Sequence, residues 1–159
     1  MDIQYPLKAI DYSGDDYYQA AQLRYELFYK VHNISFDAIF DSSEATDQHF
    51  AIVAPSTNQV LAYGRLGQNK PHEFQIYQMV VRPDCQGQGL GKQLLDGLTD
   101  AAIRQGAMRI VLLARVTKQG FYQRSGFEPV GEVFPSAMTG VPHITMQKTV
   151  GLPLSGDNS

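Results

Sequence analysis

Apolar and polar positions change period several times along the chain, and each change predicts an element. Leu7, Ala9 and Ile10 make a short apolar run over 7–10, which reads as a first strand. Ser13 with Asp16 three places on has the form of a capping box, so a helix is expected to follow. Ala20, Leu23, Leu27 and Val31 mark its apolar stripe, with Tyr17 and Phe28 at the edges. Arg24 lies beside that stripe and reads either as a solvated, snorkelling cation or as a substrate contact. Residues 33–48 carry Phe36, Ile39 and Phe40 among acids without a period, as a short helix or a loop over a pocket would. The runs 49–54 and 60–66 flank the turn Pro55-Ser56-Thr57-Asn58 and read as a hairpin. A polar loop is expected over 68–73 and a fourth strand over 74–81.

The second half is read in the same way. Leu94, Leu95, Leu98, Ala101 and Ala102 recur at helical spacing, predicting a helix over 90–105 closed by Gly106. The near-continuous apolar run 108–114 fits a strand covered on both faces. A short helix over 117–125 should end at Gly126. Two strands, 127–133 and 141–148, should come next, around a loop containing Pro and Gly. The order predicts an α/β (α+β) chain with a mixed sheet and helices on both faces. Nothing divides 1–150 into more than one domain, and 151–159 reads as a loose tail.

Composition narrows the functional classes. The chain has 159 residues, 43% hydrophobic and 18% charged, with a net charge of −3, which suits an ordinary globule. A mildly acidic chain without a Lys/Arg run has no footprint for nucleic acid. The sequence shows neither a membrane-length apolar stretch nor a basic leader followed by an apolar run, and with one cysteine it cannot form an internal disulfide. A cytoplasmic protein is expected. No grouping of His, Cys, Asp and Glu has metal-ligand spacing, so no metal is expected.

The chemistry concentrates where the fourth strand meets the long helix, in Met79-Val80-Val81-Arg82-Pro83-Asp84-Cys85-Gln86-Gly87-Gln88-Gly89-Leu90-Gly91-Lys92. Three glycines on alternate positions precede a helix N-terminus. Such a turn exposes backbone amides at the positive end of the helix dipole, where phosphate binds well. A nucleoside-triphosphate loop wants Ser or Thr after its lysine, but Gln93 follows Lys92. A dinucleotide fingerprint wants its last glycine three places after the second, whereas Gly91 comes two after Gly89.

The pattern Gln86-x-x-Gly89-x-Gly91 instead resembles the pyrophosphate loop of the Gcn5-related N-acetyltransferases, the GNAT superfamily. A second stretch, Gly120-Phe121-Tyr122-Gln123-Arg124-Ser125-Gly126-Phe127, is similar to the element that ends that family's last helix. The ending Val141-Pro142-His143-Ile144-Thr145-Met146, with Arg24 and His49 upstream, resembles the ElaA-like branch.

The resemblance implies the GNAT fold, with a twisted, mostly antiparallel sheet of about six or seven strands. It implies acetyl-CoA as co-substrate and direct transfer of the acetyl group to a small-molecule amine or a protein amino group. Cofactor contacts then fall on Met79, Val80, Val81, Gln86, Gly87, Gln88, Gly89, Leu90, Gly91, Lys92 and Tyr122. In the family a bulge splays the fourth strand from the next, and a main-chain amide there meets the acetyl oxygen. By position that amide belongs to Val80 or Met79. Tyr122 matches the general acid that protonates the departing thiolate.

The base is where the chain departs from the family pattern. Gln75 and Tyr77 stand where other members carry Glu or His, so the proton must reach Glu73, His143 or His49 through water, or the amine must arrive neutral. The acceptor site is expected to involve Arg24, Gln75, Tyr77 and His143. Cys85 reads as structural, because direct transfer needs no acyl-enzyme. A longer acyl-CoA donor and a non-catalytic acyl-CoA-binding regulatory module are the alternatives. Homodimers are common in the family.

Overall fold

The structure, a computed structural model, describes residues 5–151. The tail expected over 151–159 therefore lies, apart from Gly151, outside the described residues. Among them seven strands form one sheet: β1 (Leu7–Ile10), β2 (Gln48–Ala54), β3 (Gln59–Lys70), β4 (Glu73–Val81), β5 (Arg109–Arg115), β6 (Glu128–Pro135) and β7 (Pro142–Thr149). Their order is β1-β2-β3-β4-β5-β7-β6. β4 and β5 run parallel, while the β1–β2, β2–β3, β5–β7 and β6–β7 pairs are antiparallel. The helices are α1 (Asp15–Arg24), α2 (Leu90–Arg104) and α3 (Gln119–Gln123).

The described residues divide into two compact units, 5–67 with Tyr77–Leu98 and Gln68–Ile76 with 99–151. In the first, Ala20, Ala51, Val53, Val60, Tyr63 and Val80 form a buried cluster, with Ile10, Leu23, Leu27 and Phe28 packed against it. Gly64 on β3 is a steric necessity, because a Cβ there would stand 2.6 Å from Leu98 Cδ1. In the second unit Phe74, Ile76, Ile110, Leu112, Phe127 and Met146 are buried.

Four expectations need correction. The strand at 108–114 is not covered on both faces: β5 alternates buried Ile110, Leu112 and Ala114 with Leu113, which is 49% exposed. The capping box does not form: Ser13 is left-handed at φ 69°, Gly14 is the N-cap, and no side chain caps the helix. Asp15 and Asp16 complement the positive helix end instead. The first helix also does not keep one period. It runs into a π-helical turn over Tyr25–Tyr29, then a 3-10 turn over Lys30–His32, ending at left-handed Asn33. A π turn inserts an extra residue, so burial moves from Ala20 and Arg24 to Tyr29, and Val31 is left 78% exposed. Finally, the polar loop over 68–73 shrinks to Pro71 and His72, because β3 extends to Lys70 and β4 starts at Glu73. Gln68, Asn69 and Lys70 are exposed, so backbone pairing rather than burial makes them strand, and hydropathy is blind to that.

Candidate active site

The glycine loop opens after β4 with a short 3-10 turn, Pro83–Cys85. Gly87 and Gly89 have φ of 82° and 84°, conformations that L side chains rarely adopt. Among the described residues nothing lies within 4 Å of where a Cβ would stand at either one. Gly89 O accepts the amide of Gln93 at 3.0 Å, which makes Gly89 the N-cap of α2 and leaves the following amides without helical partners. Gln86 is turned back, its Nε2 donating to Val81 O at 3.2 Å. Lys92 is exposed and paired with Asp96 at 2.7 Å, and Arg82 with Asp84 at 2.7 Å, so the local cations are already matched. The open face of the loop at Gly87 and Gly89 is thus main chain, and a backbone of this kind at a helix N-terminus fits a pyrophosphate.

Upstream of the loop, β4 is irregular. Its registered pairs with β5 cover Glu73–Ile76 against Arg109–Leu112. Gln78, two residues beyond, has φ 57°, which is unusual for a non-glycine residue inside a strand. Bulges use such a backbone, so the bulge expected in β4 is proposed to lie at Gln78. Val80 is buried and Met79 half-buried.

Tyr122 lies in α3 with its ring edge-on to Phe121 and Phe127. Burial pushes its phenol up to about 12. Among the described residues its hydroxyl has no hydrogen-bond partner, so it is not the carbonyl-bonded core tyrosine that would be the plain structural alternative. Cys85 is half-buried, and burial together with Asp84 raises its thiol pKa, the reverse of what a nucleophile needs.

The residues expected around the acceptor have varied surroundings. Arg24 is not solvated: it is 1% exposed and bound by Glu44, Nη1 to Oε1 at 3.0 Å and Nη2 to Oε2 at 2.8 Å. Tyr77 lies over the Arg65 guanidinium at 4.5 Å, and its phenol pKa is raised by burial and by Asp47, so it is a poor proton acceptor. Gln75 accepts from Asn69 at 3.0 Å. His143 Nδ1 donates to Val141 O at 2.7 Å. His49 is spent internally. Its Nε2 donates to Glu44 O and its Nδ1 accepts from Tyr63 OH, both at 2.7 Å, and burial lowers its pKa. Glu73 is shared by Arg109, Lys70 and Asn69.

What the sequence reading missed is the set of charges around Glu44. Its Oε1 also accepts from Tyr17 OH at 2.5 Å, and Arg65 Nη1 stands 2.7 Å from its Oε2. Arg65 reaches Asp41 at 2.9 Å and Asp47 at 3.0 Å as well. Two buried guanidiniums thus face three carboxylates. Burial opposes the charge on Glu44, yet the bonds from Arg24 and Tyr17 and the field of Arg65 outweigh it and hold the carboxyl below its usual range. The available signal was Arg65 itself, an arginine inside the apolar strand run 60–66, which demands a buried anion.

A family model described as an acetyltransferase (GNAT) domain matches residues 9–150. Protein ElaA of Escherichia coli (strain K12) is 28% identical over 136 residues, covering 84% of this chain and 87% of that protein. A crystal structure of an acyl-CoA N-acyltransferase from Pseudomonas aeruginosa is 26% identical with a TM-score of 0.76, covering 91% of this chain and 99% of that one. An aminoglycoside 6'-N-acetyltransferase complexed with coenzyme A is 16% identical, covers 92% of this chain and 98% of its own, and shares the fold at a TM-score of 0.70. Among the described residues no helix is long and apolar enough to cross a membrane.

Proposed function

The chain belongs to the GNAT acetyltransferase family, with likeness to its ElaA branch, and from that premise we propose that it transfers the acetyl group of acetyl-CoA to an amine by direct attack. One observation carries the reading. The left-handed Gly87 and Gly89 leave the main chain uncovered at the start of α2, which supports reading this helix N-terminus as the cradle for two linked phosphates.

The thioester supplies an electrophilic carbonyl and a thiolate leaving group. The amides from Gln86 to Lys92 hold the pyrophosphate. The Val80 or Met79 amide, turned by the β4 bulge, donates to the carbonyl oxygen as negative charge develops on it. Tyr122 stays protonated at neutral pH and donates its proton to the sulfur. His49 has both ring nitrogens engaged, so the amine proton leaves through water toward Glu73 or His143, or the amine arrives already neutral. The amine is a small molecule or a protein amino group.

A second reading, a module that binds acyl-CoA without turning it over, is favoured by Gln75 and Tyr77 standing where a base would be. Calorimetry with acetyl-CoA, then thiol release across an amine panel and with longer acyl donors, separates the readings. Saturable binding with release on at least one amine is expected. Binding without any release would leave the module, and no binding would overturn both.

A further inference from the structure

Within β4 only Gln78 has a positive φ, a left-handed conformation that is unfavourable for a residue with a side chain and for which glutamine has no intrinsic preference. Two donors converge on its side-chain oxygen. Arg24 Nε donates at 3.2 Å and Tyr29 OH at 3.0 Å. Arg24 can only donate, so the contact identifies the oxygen of the amide.

Both donors are themselves fixed. Arg24 is clamped by Glu44, and Tyr29 is 8% exposed. They are five residues apart, a separation that an α-helix would splay across two faces. The π turn over Tyr25–Tyr29 brings them to one side, where a single acceptor can take both bonds.

We propose that Gln78 is a positioning residue. The Arg24–Tyr29 pair pins its side chain, the pin holds the β4 bulge, and the bulge aims the Met79 or Val80 amide at the acetyl oxygen. This rests on the acetyl-CoA reading above. It assigns a purpose to the π turn and to the buried Arg24–Glu44 pair, which do not themselves touch the reacting atoms.

The test compares the wild-type protein, Gln78→Gly and Tyr29→Phe, each labelled with 15N and titrated with acetyl-CoA and with CoA. Gln78→Gly removes the anchor while relieving the backbone, so its fold is retained; Tyr29→Phe keeps Gln78 and removes one donor. In the wild type the Met79 or Val80 amide proton should move downfield with acetyl-CoA beyond its position with CoA. Both variants should bind CoA as the wild type does but lose that acetyl-dependent difference, Gln78→Gly more fully. Their kcat, on an amine that the wild type accepts, should fall about 10- to 100-fold with little change in KM for acetyl-CoA. A side chain that only stabilised the fold would shift Tm and leave the acetyl-dependent difference intact, and that result overturns the pin. Wild-type binding with no acetyl-dependent difference at either amide also overturns it. If the wild type binds neither compound, the acetyl-CoA reading itself falls.

Discussion

Arg24 and Glu44 face each other inside the first unit with two parallel contacts, 3.0 and 2.8 Å long, and each side chain is 1% exposed. A buried pair of this kind is weak evidence of net stability, because removing both charges from water offsets most of their attraction. Breaking it from one side is another matter. Glu44→Gln leaves Arg24 and Arg65 short of an anion and should cost about 3–5 kcal/mol. That corresponds to a Tm lowered by about 10 °C, read by thermal unfolding. An unchanged Tm would show that the guanidiniums find other partners.

The same group sets a pH dependence. The Glu44 carboxyl is held below its ordinary range when folded, so its contribution is present above the unfolded pKa of about 4.3 and is lost as pH falls through the lower folded value. Asp41, where Ser43 and Arg65 outweigh burial, has the same sign. Asp47, raised by burial, runs the other way and subtracts stability as pH rises through its folded pKa. Glu44 is the most buried of the three and dominates. Stability measured from pH 6 downward should therefore drop steeply below about pH 4, and Glu44→Gln should flatten that drop.

Tyr122→Phe should lower kcat about 100-fold at neutral pH while leaving acetyl-CoA affinity unchanged. Because burial pushes the phenol up to about 12, the acid form persists above neutral pH, and a loss of kcat between neutral and mildly alkaline pH should not trace to Tyr122. Equal turnover in the two proteins would remove the acid role.

Cys85→Ala should keep wild-type turnover, and thiol-blocking reagents should not inactivate the protein at neutral pH, because the thiol pKa is raised rather than depressed. Loss of activity in Cys85→Ala with retained acetyl-CoA binding would argue for an acyl-enzyme step.

How much of the molecule was legible in the sequence depended on how local each signal is. Gly87, Gly89 and the Leu94, Leu95, Leu98 spacing announce a turn and a helix from neighbouring residues alone, and the structure has both. The fold class comes from the same local periods read in order. Arg24 could not be read because its partner Glu44 and its contact Gln78 are distant in sequence, and only folding brings them together. The π turn escaped because one inserted residue leaves the composition of the helix unaltered and only rotates the next turn, burying Tyr29 and exposing Val31. Gln78 carries no sequence signal for a positive φ, since its conformation is imposed by side chains from elsewhere.

The central claim is that the bare cradle at the start of α2 grips the coenzyme's paired phosphates. It is tested most directly by titrating acetyl-CoA calorimetrically into the wild-type protein and Gly89→Ala side by side. The wild type should bind at one site, with Kd on the order of micromolar to tens of micromolar. The added methyl, at φ 84° and projecting into open space, should weaken binding at least about 10-fold, a loss of about 1.4 kcal/mol, without unfolding the protein. Equal affinity in the two proteins, or no wild-type binding at millimolar acetyl-CoA, would contradict it.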